Sequence, residues 1–289
     1  MKRWRLAAAL ALALAIAGPA AAQTAKVEAV QYPAWLERGG QTVPLAPGIT
    51  LESHDRLRTG ANARVLVRMG EGSTVKLGEN ARFEIQRIEN RGIFRAALQV
   101  LSGAFRFTTE ALAKRQHRDV TIKVTNITAG IRGTDVWGKS TDERDLVCLL
   151  EGKVSVRADG GPDVTLDKPR DFYQKPRGGE AAVARVDAKQ VEIWSAETEI
   201  GSGAPAARVG GTWRVVASKF ERRDPALTLS RRLRARGYPA QVIDEGNGIF
   251  VVQIPGLAGE AEARALMAQL RGVPGVTIPS VGPVGGGAG

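Results

Sequence analysis

The sequence predicts two folded units of different class. An all-β region (a sandwich, roll or short solenoid) comes first, followed by a small α+β domain of β-α-β-β-α-β order built on one antiparallel sheet. Three observations carry this. From about Gly48 to Ala158 apolar residues alternate with period two, and glycine-containing turns interrupt them every ten residues or so. From Thr212 onward, strand-type alternation and helix-type spacing follow each other in turn. In that second part, seven apolar positions recur at a fixed offset of 37 residues.

Length and composition agree with this division. The 289 residues, 43% hydrophobic and 25% charged, are enough for about two globular domains, each with its own core. A single Cys excludes an intramolecular disulfide framework and a Cys-rich metal site. The two histidines, His54 and His117, lack metal-ligand spacing and leave little room for imidazole chemistry. No metal and no cofactor are expected, and the composition points to binding rather than catalysis.

The chain opens with a basic head (Lys2, Arg3, Arg5), an apolar run from Leu6 to Ala17, the breaker pair Gly18-Pro19 and the small residues Ala20 to Ala22. That order is the one a secretory signal peptide has, with cleavage expected after Ala22. The apolar run falls well short of the roughly 20 residues that span a bilayer, and no later stretch reaches that length. The mature chain is therefore expected in the periplasm, without a transmembrane segment. Cleavage removes three of the eleven net positive charges. The remaining excess is read as a solvated surface first and a docking patch for anionic material second. Nucleic acid is set aside as a partner, because export takes the chain away from it.

Residues 23–47 are assigned to an N-terminal extension and 48–180 to the β domain. Val65, Val67 and Met69 alternate before the Gly70-Glu71-Gly72 turn; Val75 and Leu77 follow, then Phe83 and Ile85. Leu98 and Val100 precede Ser102-Gly103, which leads into Phe105 and Phe107, and Val120, Ile122 and Val124 make a further strand. Helical spacing is absent here, with Glu110 to His117 as the candidate exception. Leu101 to Phe107 echoes Leu150 to Val156 in the form Leu-polar-Gly-x-apolar-x-apolar, as expected of two equivalent bends in one β architecture.

At these residues the sequence resembles the FecR domain family. The matching segments are DRLRTGANARVLVRMGEGSTVKLGENARFEI, ITAGIRGTDVWGKST and LVCLLEGKVSV, which occur in the family's order. The resemblance, covering about Leu51 to Val156, implies a β-rich extracytoplasmic domain. The founding type relays a surface signal to a sigma factor through a transmembrane segment and a cytoplasmic tail. This sequence shows neither, so that relay is not carried over.

The most distinctive string, Gly130 with Arg132, Gly133, Thr134 and Asp135, has two readings. One is a ligand or partner loop of backbone N–H groups, Arg132 and Asp135. The other is a tight turn in which Thr134 and Asp135 close local hydrogen bonds. Cys148, between Val147 and Leu149, is read as a small buried hydrophobe. Residues 181–211 are assigned to a helix near Asp187 to Ile200, with Val191, Trp194 and Thr198 on one side, and to a flexible linker at Gly201 to Ala207.

Residues 212–282 form the second domain. Trp213, Val215 and Ala217 alternate as a half-buried strand. Asp224 is placed as an N-cap with Pro225 at the first helical position, Ala226, Leu229 and Leu233 form an apolar stripe, and Gly237 ends the helix. A second strand follows near Ala240 to Asp244, and a third alternates Phe250, Val252 and Ile254. Adding 37 to Trp213, Val215, Ala217, Phe220, Ala226, Leu229 and Leu233 gives Phe250, Val252, Ile254, Leu257, Ala263, Leu266 and Leu270, so two βα halves are expected. Val276 to Pro279 is assigned to a last strand and 283–289 to a disordered tail.

With WRVVASKF, ALTLSRRLRARGYPAQV, FVVQIPGL and AEARALMAQL, this part looks like a SPOR domain over about Thr212 to Val281. The resemblance implies binding of peptidoglycan, in particular glycan strands stripped of stem peptides, on the open face of the sheet. The family's usual first-strand Gln falls at Val216, and its Gly-Ser-Phe ending reads Ser218-Lys219-Phe220 here. Alternation alone places Trp213, Val215, Val252 and Ile254 under the helices and Arg214, Val216, Val251 and Gln253 on the other face. Arg214 and Gln253 can donate to sugar hydroxyls or N-acetyl carbonyls, and Val216 and Val251 can meet a sugar's apolar side. RNA-recognition modules share this element order but stack bases on open-face aromatics; here Trp213 and Phe250 fall on the covered face.

The expectation is an exported, non-catalytic binding protein. Its second domain binds peptidoglycan and its β domain is a ligand- or protein-binding scaffold, with an envelope protein as a second partner. The competing classes are an envelope sensor whose second domain contacts a protein, and a wall-active enzyme using that domain for targeting.

Overall fold

A computed structural model describes residues 25–91, 93–109 and 118–285. The expected signal peptide, the candidate helix at Glu110 to His117 and most of the expected tail lie outside the described residues.

Alternation becomes strands throughout the first region. β1 (Ala25–Gln31), β2 (Ala34–Arg38), β3 (Gln41–Pro44), β4 (Arg56–Thr59), β5 (Arg64–Met69), β6 (Thr74–Leu77) and β7 (Arg82–Arg91) lead to the long β8 (Ile93–Thr108). β9 (Arg118–Val124), β10 (Ile127–Ile131), β11 (Asp135–Ser140), β12 (Arg144–Glu151), β13 (Val154–Ala158), β14 (Val164–Leu166), β15 (Asp171–Pro176) and β16 (Ala182–Arg185) follow. Residues 25–44 are thus part of the β domain, which corrects the expectation of a separate extension.

Two layers result. One runs β3-β2-β4-β7-β8-β9-β10-β13-β14. The other runs β16-β15-β12-β11-β8-β6-β5-β1. All pairs are antiparallel except β8 with β9, which run parallel. β8 belongs to both layers: its first half pairs with β7 as far as Ser102, and its second half pairs with β6 and β11 from Gly103 on. Between the layers lies one core that includes Val27, Val67, Phe105 and Val147 from one side and Leu36, Phe83, Leu98 and Ile122 from the other.

The echoed glycines mark the places where the chain changes layer. Gly103 has φ +83°, and a Cβ there would lie 2.6 Å from Ala81 Cα. Gly152, at φ +88°, joins β12 in one layer to β13 in the other. Both positions need a left-handed backbone and the missing side chain, since a Cβ at Gly152 would lie 2.9 Å from Gly133 O.

α1 (Ala188–Ala196) begins at Asp187, whose carboxylate accepts from Gln190 N–H. It covers the outer face of the second layer, where Trp194 stacks on Trp137 with centroids 4.8 Å apart and Phe172 meets it edge-on. Cys148 is buried in this small second core, as expected.

The stretch read as a flexible linker is not one along its whole length. Ala206–Arg208 form β17, which pairs with β1 on one side and touches the second domain through Ala207↔Leu257 on the other. Ala206 and Ala207 are buried. Their small side chains let three residues slot between two strands.

The second domain has the expected order: β18 (Trp213–Phe220), α2 (Arg223–Ala235), β19 (Gln241–Asp244), β20 (Phe250–Leu257), α3 (Glu260–Leu270) and β21 (Ser280–Pro283). Ala226, Leu229 and Leu233 on α2 and their counterparts Ala263, Leu266 and Leu270 on α3 are all buried. Two details differ from expectation. α2 starts two residues earlier, so Asp224 lies in the first turn rather than capping it, where its charge still suits the helix dipole. The last strand lies four residues later than expected, because Ile278 has a left-handed φ of +47° that no strand accepts.

Candidate functional site

The second domain's sheet runs β19-β20-β18-β21. The apolar cluster fixes its two faces. Val215, Ala217, Val252 and Ile254 pack with the buried residues of α2 and α3, and Val242, Phe220, Phe250 and Val281 lean on the same cluster. Arg214, Val216, Val251 and Gln253 are absent from it. Pairing places them with Gln241, Ile243 and Ser280 on the opposite face, through Gln241↔Gln253↔Val216↔Ser280 and Ile243↔Val251↔Lys219.

Exposure on that face differs from expectation. Val216, Val251 and Gln253 keep only 9%, 1% and 6% of their surface. They form a floor and do not project as contact groups. Gln253 Oε1 accepts from Arg214 Nη1 at 2.8 Å, so one expected polar contact is engaged with the other. Arg214 is half-buried, whereas Lys219, Gln241, Ile243 and Ser280 are exposed around the floor.

Lys219 was not legible from alternation, which puts Ser218 on this face. A β-bulge between Val216 and Ser218 reverses the parity. Ser218 therefore turns inward, where its oxygen accepts from Thr277 N–H at 2.8 Å and lies 2.8 Å from Gly275 O. Lys219 takes the outward place, 3.3 Å from Glu245. Gln241, Ile243 and Ser280 could be found only from register, because their strands carry no alternation strong enough to read. As a surface, the face offers cationic and amide donors over an apolar floor. It has no nucleophile paired with a base.

The string Arg132-Gly133-Thr134-Asp135 links β10 in one layer to β11 in the other. Asp135 is occupied: Arg106 donates to both its oxygens, at 2.9 and 2.6 Å, and Thr108 donates at 3.2 Å. Arg106 also reaches Glu199 beyond α1 at 3.2 Å. Its pKa is held above the usual guanidinium value, first by the hydrogen bonds to Asp135. Thr134 is buried at 1% exposure. Only Arg132 is exposed, lining a cleft of about 540 Å³ with Gly130, Lys153, Ser155 and Thr165. The string is thus a structural crossing with one side chain free to face a ligand.

Burial pushes the Cys148 thiol up to about 12, with Asp171 adding to the effect, so the group stays protonated and unreactive. Among the described residues, no group of three His, Cys, Asp or Glu side chains is placed to hold a metal ion, and no helix is long and apolar enough to cross a membrane.

Residues 55–155 match the family model described as FecR protein, and residues 209–279 match that of the SPOR domain. No curated protein matches the chain. Among solved structures, the chain is similar to two from Parabacteroides distasonis, each described as that of an anti-sigma factor. One, at 1.65 Å, is 17% identical with a TM-score of 0.41, covering 48% of this chain and 64% of that one. The other, at 2.50 Å, is 14% identical with a TM-score of 0.41, covering 74% and 89%.

Proposed function

We propose, from the fusion of a FecR domain to a SPOR domain in one chain, that this is a non-catalytic protein of the cell envelope that binds peptidoglycan. In this reading the segment Met1 to Ala22 exports the chain to the periplasm. The SPOR domain then docks on glycan strands, and the FecR domain acts as a scaffold for a ligand or an envelope protein. The observation that carries it is the coincidence of the SPOR match with a sheet whose helix-free face is ringed by Arg214, Lys219, Gln241 and Ser280. The ring would donate to hydroxyls and N-acetyl carbonyls, while the buried Val216, Val251 and Gln253 hold in place the strands that carry it. The bond Arg214 now makes to Gln253 would be exchanged for one to the ligand.

The test is retention of the mature chain (residues 23–289) on purified sacculi, before and after amidase treatment strips the stem peptides. Retention is expected to rise with stripping and to fall at least tenfold in the double variant Arg214→Ala, Lys219→Ala. Equal, negligible retention in both preparations would overturn the reading. The FecR match favours a second role in envelope signalling through a protein partner, which crosslinking in cells followed by co-purification would identify.

A further inference from the structure

The outer face of the first layer carries an arrangement that wall binding does not use. Across β2, β4 and β7, two rows of side chains stand side by side: Glu37↔Arg56↔Glu84 and Trp35↔Arg58↔Arg82. Leu36, Leu57 and Phe83, the residues between them, point into the core. The first row alternates in sign, and Arg56 Nε donates to Glu84 Oε2 at 2.9 Å. The second row does not. Arg58 and Arg82 are direct cross-strand partners, with side chains about 5 Å apart at Cβ, and like charges in that position destabilise a sheet.

Neither cation is neutralised well. Arg58 lies 4.0 Å over the Trp35 ring and 3.5 Å from Glu37, at the long end for an ion pair. Arg82 is exposed and makes no ion pair or side-chain hydrogen bond with another described residue. The two guanidiniums open on a cleft of about 410 Å³, lined also by Glu37, Arg56 and Leu101, the last 41% exposed. The neighbouring row shows that an acidic residue opposite an arginine is available to this sheet, so the pair, relieved only on the Arg58 side, marks a place where an anion from outside would stabilise the fold.

We propose that this cleft binds a small ligand through a carboxylate or phosphate group held between Arg58 and Arg82, with an apolar part resting on Leu101. Guanidinium forks match both anions in a planar, bidentate way that a lysine does not. The volume lies within the range of small-molecule sites. Trp35 fixes Arg58 from beneath, so little freedom is lost when the anion arrives. The cleft sits in the FecR domain, away from the sheet proposed to hold glycan, and either assignment can fail without the other.

The test is calorimetric titration of the mature chain at low salt with two probes, inorganic pyrophosphate and citrate. Saturable binding of one or both supports the proposal, and the preferred probe identifies the anion as phosphate or carboxylate. Arg82→Gln is expected to weaken that binding at least tenfold. Arg264→Gln, which removes an exposed cation on α3, is expected to leave it unchanged. Arg82→Glu, which places an acid opposite Arg58, is expected to abolish binding while raising Tm. Absence of saturable binding with either probe overturns the proposal. So does equal weakening by Arg82→Gln and Arg264→Gln, since that would reduce the effect to general charge.

Discussion

Two buried carboxylates of the β domain are treated in opposite ways, and each yields a prediction. Asp145 is fully buried and accepts five hydrogen bonds: from Asn126 N at 3.0 Å and Nδ2 at 2.9 Å, Ser140 Oγ at 2.7 Å, and Arg177 Nη1 and Nη2 at 2.6 and 2.9 Å. It ties three strand connections together. Removing one partner of such a group leaves the others without theirs, so Asp145→Ala should cost about 3 kcal/mol, measured by urea unfolding at neutral pH. Arg177 retains some access to water, which keeps the figure at the low end of the range for buried pairs. Glu71 is 5% exposed, and neither carboxylate oxygen has a hydrogen-bond partner among the described residues. Burial raises its pKa, opposed only in part by Ser73, its own backbone and the Arg118 guanidinium. The folded chain therefore holds this proton to higher pH than the unfolded chain does. Stability from the protonated form is complete below the ordinary carboxylate value and is lost as pH rises through the raised one. Glu71→Gln should accordingly raise Tm at pH 7, with the gain shrinking towards pH 4. Parallel Tm curves for the two proteins across that interval would rule the account out.

At the scale of elements, α1 depends on one side chain. Trp194 packs flat on Trp137 and edge-on to Phe172, over the small cluster that also holds Ala104, Leu146 and Cys148. Trp194→Ala should cost about 2–3 kcal/mol, below the usual range for a wholly buried aromatic because Trp194 is only half-buried. It should also expose the Cys148 thiol to alkylation, whereas an inert thiol in the variant would mean that α1 stays docked. Elements of this kind were legible in proportion to their periodic length. The 37-residue repeat and the helix stripes rest on many positions, and the structure has them where the sequence puts them. β17 has three residues, too few for a period-two signal, and its Gly-Ser-Gly-Ala-Pro surroundings resemble a linker because composition reports what a chain does without partners. The bulge in β18 involves no residue type that announces it, yet it exchanges Ser218 for Lys219 on the proposed binding face. Alternation placed Arg214, Val216, Val251 and Gln253 on the helix-free side. It carried no information on their burial, because that depends on strands distant in sequence.

For the molecule as a whole, the short strand β17 decides whether the two domains behave as one body. β1, β17 and β20 are consecutive neighbours, so the second layer of the β domain continues into the SPOR sheet. Further contacts close the junction. Trp35 Nε1 donates to Ala235 O at 3.2 Å at the end of α2, Ala34 N–H donates to Gly237 O at 3.3 Å, and Tyr32 meets Tyr238 with ring centroids 6.0 Å apart. Gly237 is required for this approach: a Cβ there would lie 2.8 Å from the Trp35 ring, at a φ of +84°. The apolar cores of both domains form one continuous cluster through these contacts. Tethered domains unfold separately, whereas domains sharing a core and a sheet unfold together. Calorimetry of the mature chain should therefore give one transition, with calorimetric and van't Hoff enthalpies in a ratio near 1. Gly237→Ala should weaken the junction by about 1–2 kcal/mol from backbone conformation alone, with the Trp35 clash adding to it. In that variant the single transition should broaden or divide, the SPOR part melting first. Two resolved transitions in the unsubstituted chain would return Gly201 to Ala207 to the status of a tether. A single one means that attachment of the SPOR sheet to wall glycan also sets the orientation of the Arg58–Arg82 cleft, since Trp35 takes part in the junction and carries Arg58 over its ring.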